Sequence, residues 1–259
     1  MSAAQKSVGD HLREWRQRRR LSQLDLALDA EISTRHLSFL ETGRAQPSRE
    51  MVMRLAEQLE VPLRDRNAIL VAAGFAPVFF ERPIDDPALT AARRAIDLIL
   101  KGHEPCPALV IDLRWNLVAA NSALAPLLAG VAPELLEQPV NVMRLALHPK
   151  GLAPRIANFA EWRAHLVERL RRQLELTADP GLAAIFEEVC GYPVPPAPDR
   201  RPEDFGGVAV PLQLLAGDRL LSFLSTTTVF GAAVDITLSE LSLETFFPAD
   251  AATAEALRV

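Results

Sequence analysis

Twenty-four residues near the amino terminus, LSQLDLALDAEISTRHLSFLETGR from Leu21 to Arg44, constrain this chain more than any other segment. They hold two short apolar runs of helical period, each opened by a serine, with only a few residues between them. Ser22 can accept hydrogen bonds from the open N–H groups of a first helix, and Leu24, Ala27 and Leu28 then form its inner side. Ser33 caps a second helix in the same way. Leu37 and Leu40 turn inward at i and i+3, and Gly43 stops the helix where a left-handed residue costs little. The small Ala27 and Ala30 allow the two helices to approach closely across a turn of three or four residues.

The flanks extend this pair into a bundle. Val8, Leu12 and Trp15 repeat along an earlier helix that ends in the basic run Arg16, Arg18, Arg19, Arg20. Ser48 opens another, with Val52, Leu55, Ala56 and Leu59 inward, and a last one runs from Leu63 to Ala73 and stops at Gly74. Five helices in residues 1–75 make a complete small all-α domain. A tight pair of this kind pushes its second helix outward, the geometry with which a helix-turn-helix enters a major groove. The exposed side of that helix is Thr34, Arg35, Ser38 and Phe39, which are the candidates for base contact. Gln23, Arg16, Arg19 and Arg44 flank it and are the candidates for phosphate contact. The plainer reading is an all-α bundle whose arginines are a solvated face.

Charge separates the readings in part. The net charge of −5 argues against a nucleic-acid partner until it is divided along the chain. Residues 1–75 hold 12 Lys+Arg against 10 Asp+Glu, leaving a balance of −7 for the remainder. Six basic residues lie between Lys6 and Arg20, against Asp10 and Glu14 alone, which is a plausible phosphate footprint for double-stranded DNA. No apolar run approaches the roughly 20 residues of a bilayer crossing, so the expected location is the cytoplasm, with no membrane partner. Cys106 and Cys190 are far apart and lack metal-ligand spacing, so both are expected as buried small side chains.

The rest of the chain, at 259 residues overall, is long enough for a second core. Residues 76–104 read as a linker and connecting helix: GFAPVFFERP is a connector, and Asp86-Pro87 starts a helix through Lys101 with Leu89, Ala92, Ile96 and Leu100 on one face. That stripe is expected to pack on the second domain, with its counterpart in a homodimer as the alternative. Within 105–259, ALVIDLRWNLVAAN reads as a hairpin around Asp112 to Asn116. Helical segments follow at Asn141 to His148, Glu161 to Thr177 and from Asp179-Pro180 through Cys190, then the proline-rich stretch GYPVPPAPDRRPEDFGG. Strand patterns return at Val208 to Leu215, Arg219 to Phe230 and Val234 to Leu243. The fold class is therefore α+β: an N-terminal five-helix domain joined to a domain with an antiparallel sheet. Two strands, helices and three antiparallel strands is the order of a PAS-like domain, a curved sheet with a pocket beneath its helices.

The motifs carry a resemblance. LSQLDLALDAEISTRHLSFLETGRAQPS resembles the lambda-repressor-like, or XRE-type, helix-turn-helix, and STRHLSFLETGRAQPS followed by RNAILVAAGFAP is similar to the MmyB-like (MltR-type) regulators of bacteria. Residues 110–124, 141–162 and 221–258 resemble the PAS-like ligand-binding domain of the same family. The resemblance places Gln23 on a phosphate-contacting position and Thr34, Arg35 and Phe39 on base-facing ones. Glu31 stands where the turn often has glycine, so a strained turn is expected there. The implied function is transcription regulation, with a pocket that takes a fatty-acid-like molecule.

Read from the residues, that pocket has an apolar lining of Trp115, Leu124, Leu128, Phe159, Trp162, Leu166, Phe223 and Phe230. Arg144, His148, Arg155 and Asn158 are the candidate donors for an acid head group, and Arg offers a carboxylate a bidentate fork. No nucleophile elbow, phosphate-binding glycine loop or metal-ligand spacing is present, so no catalytic or metal role and no cofactor is expected. The working expectation is a homodimer that binds a pseudo-palindromic operator and responds to a small amphiphilic ligand. An antitoxin-like or adaptor protein, using the helix-turn-helix without a small molecule, is the competing reading.

Overall fold

The computed structural model describes residues 6–195, 210–230 and 235–258. Contacts divide the chain into two compact units, one holding the residues up to Arg82 with two short later segments, the other most of the residues from Pro83 onward.

The first unit is a bundle of α1 (Val8–Arg18), α2 (Gln23–Asp29), α3 (Thr34–Glu41), α4 (Arg49–Gln58) and α5 (Leu63–Ala72). Ser7, Ser22, Ser33 and Ser48 open the first four, each accepting the backbone N–H three residues on. Asp10 and Asp25 close full capping boxes on α1 and α2. Leu12, Leu26, Leu37, Leu40, Leu55, Leu59, Ile69 and Leu70 are fully buried between the helices. Gly9 marks the closest approach of α1 to α3: a Cβ there would stand 2.6 Å from the Leu40 carbonyl oxygen.

Two features of α2 differ from or sharpen the expectation. Its inner face is Leu26 and Ala27, continued by Ala30, while Leu24 and Leu28 are 57% and 68% exposed. At roughly 100° per residue, Leu26 lies opposite the Leu24–Leu28 stripe. Only one leucine set can face inward, and the set that shares its face with the two alanines does so. Glu31 takes a left-handed φ of 55°, as the missing glycine implied.

From Pro83 onward a short 3-10 turn at Pro87–Leu89 leads into α6 (Thr90–Gly102), followed by β1 (Ala108–Ile111) and β2 (Leu117–Ala120). Three helices come next: α7 (Val142–Leu147), α8 (Phe159–Thr177) and α9 (Pro180–Cys190). Then come β3 (Leu212–Ala216), β4 (Arg219–Val229), the helical turn α10 (Ile236–Ser239), β5 (Ser242–Pro248) and α11 (Ala251–Ala256). The five strands form one antiparallel sheet in the order β2-β1-β5-β4-β3, a curled PAS-like arrangement.

Both faces of this sheet are covered, which is why all four residues of β1 are buried. Ala108 and Val110 meet Ile96 and Leu100 of α6, together with Leu241 and Leu243. Leu109 and Ile111 point the other way, into the larger core formed with Leu147, Trp162, Leu166, Leu170, Leu182 and Phe223. The α6 stripe thus packs on the sheet.

The last strand lies downstream of the expected Val234 to Leu243. Val234 falls outside the described residues, Ile236–Ser239 is a helical turn, and pairing runs from Ser242 to Pro248. ITLSE alternates well enough for a strand, but the β5 register is fixed by its neighbours on both sides. It places Leu243 in the α6 core and Glu244 opposite Thr227. The strand expected from Val208 begins at Leu212, and Val208 is also outside the described residues.

Candidate functional site

On α3 the structure brings the candidate base-contacting residues together. Arg35 is exposed, while Thr34, Ser38 and Phe39 are half-buried on the same side of the helix. The Arg35 guanidinium lies 5.3 Å over the Phe39 ring, and that of Arg44 lies 6.0 Å from it. Neither arginine has an acidic partner among the described residues, so their N–H groups are available to an external anion or base edge.

The other candidate phosphate contacts are built into the unit. Glu41, whose side chain is fully buried, accepts Arg16 Nε at 2.6 Å, Arg16 Nη2 at 3.0 Å and Gln23 Nε2 at 2.8 Å. Arg16 Nη1 donates to the Leu21 carbonyl, and Arg13 Nη2 to that of Glu41. Burial alone would push the Glu41 carboxyl up, but hydrogen bonds from Arg16 and Gln23 outweigh it and hold the group below its ordinary range. Arg19 donates to the carbonyls of Leu59 and Glu60 just past the end of α4. Glu41 was not singled out in the sequence. The available signal was an acid at i+4 from Leu37, on the inward side of its helix.

Beneath the sheet lies a cavity of about 70 Å³ with almost wholly apolar walls. Of the eight side chains expected to line it, Trp115, Leu124, Leu128, Trp162 and Leu166 do so. Phe159 and Phe223 are buried in the same core without reaching the cavity, and Phe230 packs instead with the α6 cluster on the other face of the sheet. The four expected donors lie elsewhere, each with protein partners. Arg144 forms a bidentate pair with Glu188 at 2.8 and 2.7 Å, and Glu188 also accepts the Tyr192 hydroxyl. Burial and that carboxylate push the Tyr192 hydroxyl up to about 12. His148 accepts the Lys150 N–H at Nδ1 and meets the Tyr192 ring edge-on. Arg155 donates to the carbonyls of Leu215, Leu127 and Ala129, while Asn158 bridges the Pro211 carbonyl and the Gln213 N–H. Both therefore tie the segment before α8 to β3 and its approach.

Polar groups do reach the cavity, from residues the sequence reading passed over. Arg169, Glu244 and Ser225 line it. Arg169 Nη2 and Nη1 donate to Glu244 at 2.7 and 3.2 Å, and Nη2 donates to Thr227 Oγ1 at 2.9 Å. The Thr227 hydroxyl in turn donates to Glu244 at 2.9 Å. The Arg169 guanidinium also covers the Trp115 ring at 4.9 Å. His165, stacked on Trp162, has its imidazole pKa lowered by burial and then by Arg169. Arg169 was one arginine among several on α8, distinguishable only by its helical phase with Trp162 and Leu166. Glu244 lay beyond the expected end of its strand.

Trp115 is held in a costly conformation. Its φ of 64° is left-handed, which a bulky residue adopts at roughly 1–3 kcal/mol. Asp112 fixes the turn by accepting the N–H groups of Arg114 and Asn116, and the Trp115 carbonyl accepts the Val142 N–H. The indole N–H donates to Gln173 at 2.7 Å. The two cysteines are free, and Cys190 is exposed rather than buried because it follows the Leu182, Ile185, Val189 stripe of α9 by one residue. Among the described residues, no cluster of metal-ligating side chains occurs and no helix is long and apolar enough to cross a membrane.

Fold and site together define a DNA-binding helix-turn-helix unit joined to an α+β ligand-binding unit. Residues 12–65 match the helix-turn-helix family, and residues 92–259 match the MmyB-like transcription regulator ligand binding domain. The chain belongs to the MmyB-like family, whose assignment is regulatory rather than enzymatic. A solved structure, the clp gene regulator ClgR from Corynebacterium glutamicum, is 26% identical over 38% of this chain and 90% of its own, with a TM-score of 0.23. No curated protein matches the chain.

Proposed function

We propose that the protein is a ligand-responsive transcription regulator that acts in the cytoplasm as a homodimer. It reads a pseudo-palindromic operator with two copies of α3 about 34 Å apart. Thr34, Arg35, Ser38 and Phe39 face the bases. Arg44 contacts phosphate directly, and Arg16, Gln23 and Arg19 act chiefly by fixing the helices that present α3. In the ligand-binding domain a fatty-acid-like molecule lies with its chain against Trp115 and Trp162.

The observation that carries this reading is the cavity itself: an apolar space walled by two tryptophans, within the part of the chain that matches a ligand-binding domain. Each methylene buried there contributes roughly 0.8 kcal/mol. At about 70 Å³ the space holds roughly two groups of the size of a water, at about 30 Å³ each, so a long chain must displace side chains as it enters. Such rearrangement gives a ligand unequal affinity for two conformations, without which it could not alter DNA binding.

The test is fluorescence anisotropy of the chain on DNA from its own upstream region, with and without C8 to C14 amphiphiles. Specific DNA binding that shifts with a bound amphiphile is expected. Specific binding unaffected by any of them, with no change in Tm, would favour the adaptor reading.

A further inference from the structure

We infer that the molecule in this cavity ends in an uncharged polar group, such as an alcohol, an amide or an ester, and that Glu244 excludes the carboxylate form of the same chain. The inference rests on the cavity being a ligand site, as proposed above, and narrows the fatty-acid-like class to its uncharged members.

Among the described residues Arg169, Glu244 and Ser225 are the polar side chains that line the cavity, and the two charges already neutralise one another. A carboxylate seeking Arg169 finds both terminal nitrogens of the guanidinium engaged by Glu244 and one of them also by Thr227. To pair with Arg169 the ligand would have to expel Glu244. That side chain is 5% exposed, is held by the Thr227 hydroxyl and stands in the middle of a central strand whose register fixes it opposite Thr227.

The alternative is two carboxylates sharing one guanidinium against tryptophan and leucine, where like charges disfavour joint ionisation. A cationic end fares no better, since it would meet Arg169 beside a carboxylate that is already paired. An uncharged end faces neither penalty. Among the described residues Arg169 Nε makes no hydrogen bond, and the Ser225 hydroxyl and Glu244 lone pairs add capacity to donate and accept. An alcohol or amide uses that capacity without breaking the pair.

The experiment compares 1-decanol, decanamide and decanoate on the full-length chain, stripped of co-purifying lipid, by isothermal titration calorimetry at pH 8. Decanol and decanamide are expected to bind about tenfold or more tighter than decanoate. Glu244→Gln keeps the shape and removes the charge, so it should raise the affinity for decanoate relative to decanol by about tenfold. Decanoate binding as tightly as decanol to the unsubstituted chain overturns the inference and leaves the cavity a ligand site. So does a Gln variant that folds and leaves the ratio unchanged; should that variant not fold, the ranking on the unsubstituted chain decides alone. If none of the three binds, the ligand reading itself falls, and the inference with it.

Discussion

Replacing Arg16 with methionine removes the main partner of a fully buried carboxylate, and the consequence can be worked from the contacts. Arg16 is 12% exposed and supplies two of the three hydrogen bonds from side chains to the Glu41 carboxylate, so the variant leaves Gln23 as the remaining close donor, with Arg13 Nε at 3.7 Å. Breaking a buried ion pair by truncating one partner costs about 3–5 kcal/mol, and the surviving Gln23 bond places this case near 3. For a helical unit of this size each kcal/mol lowers Tm by roughly 4–8 °C, so the N-terminal unit of Arg16→Met should melt at least about 12 °C lower at pH 7. The pH dependence carries a sign. In the native chain the Glu41 pKa is depressed, so its contribution is present above the ordinary value of 4.5 and is lost as pH falls through the lowered value. In the variant burial is opposed only by the Gln23 hydrogen bond and the more distant Arg13, so the pKa rises, and the penalty is full at neutral pH and shrinks as the pH falls towards 4.5. Calorimetry at pH 7 and pH 5 should therefore show the gap between the two proteins narrowing on acidification. A variant that melts within about 3 °C of the parent at pH 7, or a gap that widens in acid, would refute the reasoning.

Three further outcomes follow from α3 and the turn before it. Arg35→Ala should cost about 1–3 kcal/mol of operator affinity and relax preference at one position of each half-site, read by competition with operator variants; unchanged discrimination would remove Arg35 from the base-reading set. Arg44→Ala should weaken binding evenly across sequences and reduce the slope of log K against log salt by about one per lost contact, so an altered sequence preference at constant slope would contradict a phosphate role. Glu31→Gly relieves a left-handed φ and should stabilise the first unit by about 1 kcal/mol, visible as a rise in Tm; a fall would mean that the Glu31 side chain makes a compensating interaction.

The helices of the first unit were legible because each signal was local. Four serine caps sit where an apolar period begins, and Gly43 and Gly74 take positive φ where those periods end. The phase of α2 was not, since two leucine stripes compete on one short helix and the choice depends on how closely its neighbours approach. In the ligand-binding domain the hairpin, the helices and two of the last three strands could be read from alternation and caps. The β5 register could not, because it is set by β1 and β4, which lie far off in sequence. The cavity shows the same division. Trp115 and Trp162 were identifiable as large apolar side chains, whereas donors adjacent in sequence to one another, from Arg144 to Asn158, spread to different partners when folded. The group that does meet the cavity joins a helix residue to a strand residue 75 positions later.

Glu41 and Glu244 pose one physical question in two places. Each is an acid at a core position, and each is pinned by an arginine from a different element. Well-packed apolar residues of similar volume are often as stabilising as a buried ion pair, so stability alone does not account for either. What an apolar pair lacks is directionality. Arg16 meets Glu41 through a planar fork that accepts one relative placement of α1 and α3, while Gln23 adds α2 to the same carboxylate. The backbone of α3 is thereby registered against two helices at the point where its outer face carries Arg35 and Phe39. On the inference drawn above, Glu244 does the complementary task within a cavity whose walls are otherwise almost wholly apolar. Its pairing holds Arg169 over Trp115 and gives the walls a polar feature of no net charge. In both cases a buried charge pair supplies selectivity of geometry or of ligand to a surface that hydrophobic packing, being non-directional, could not specify.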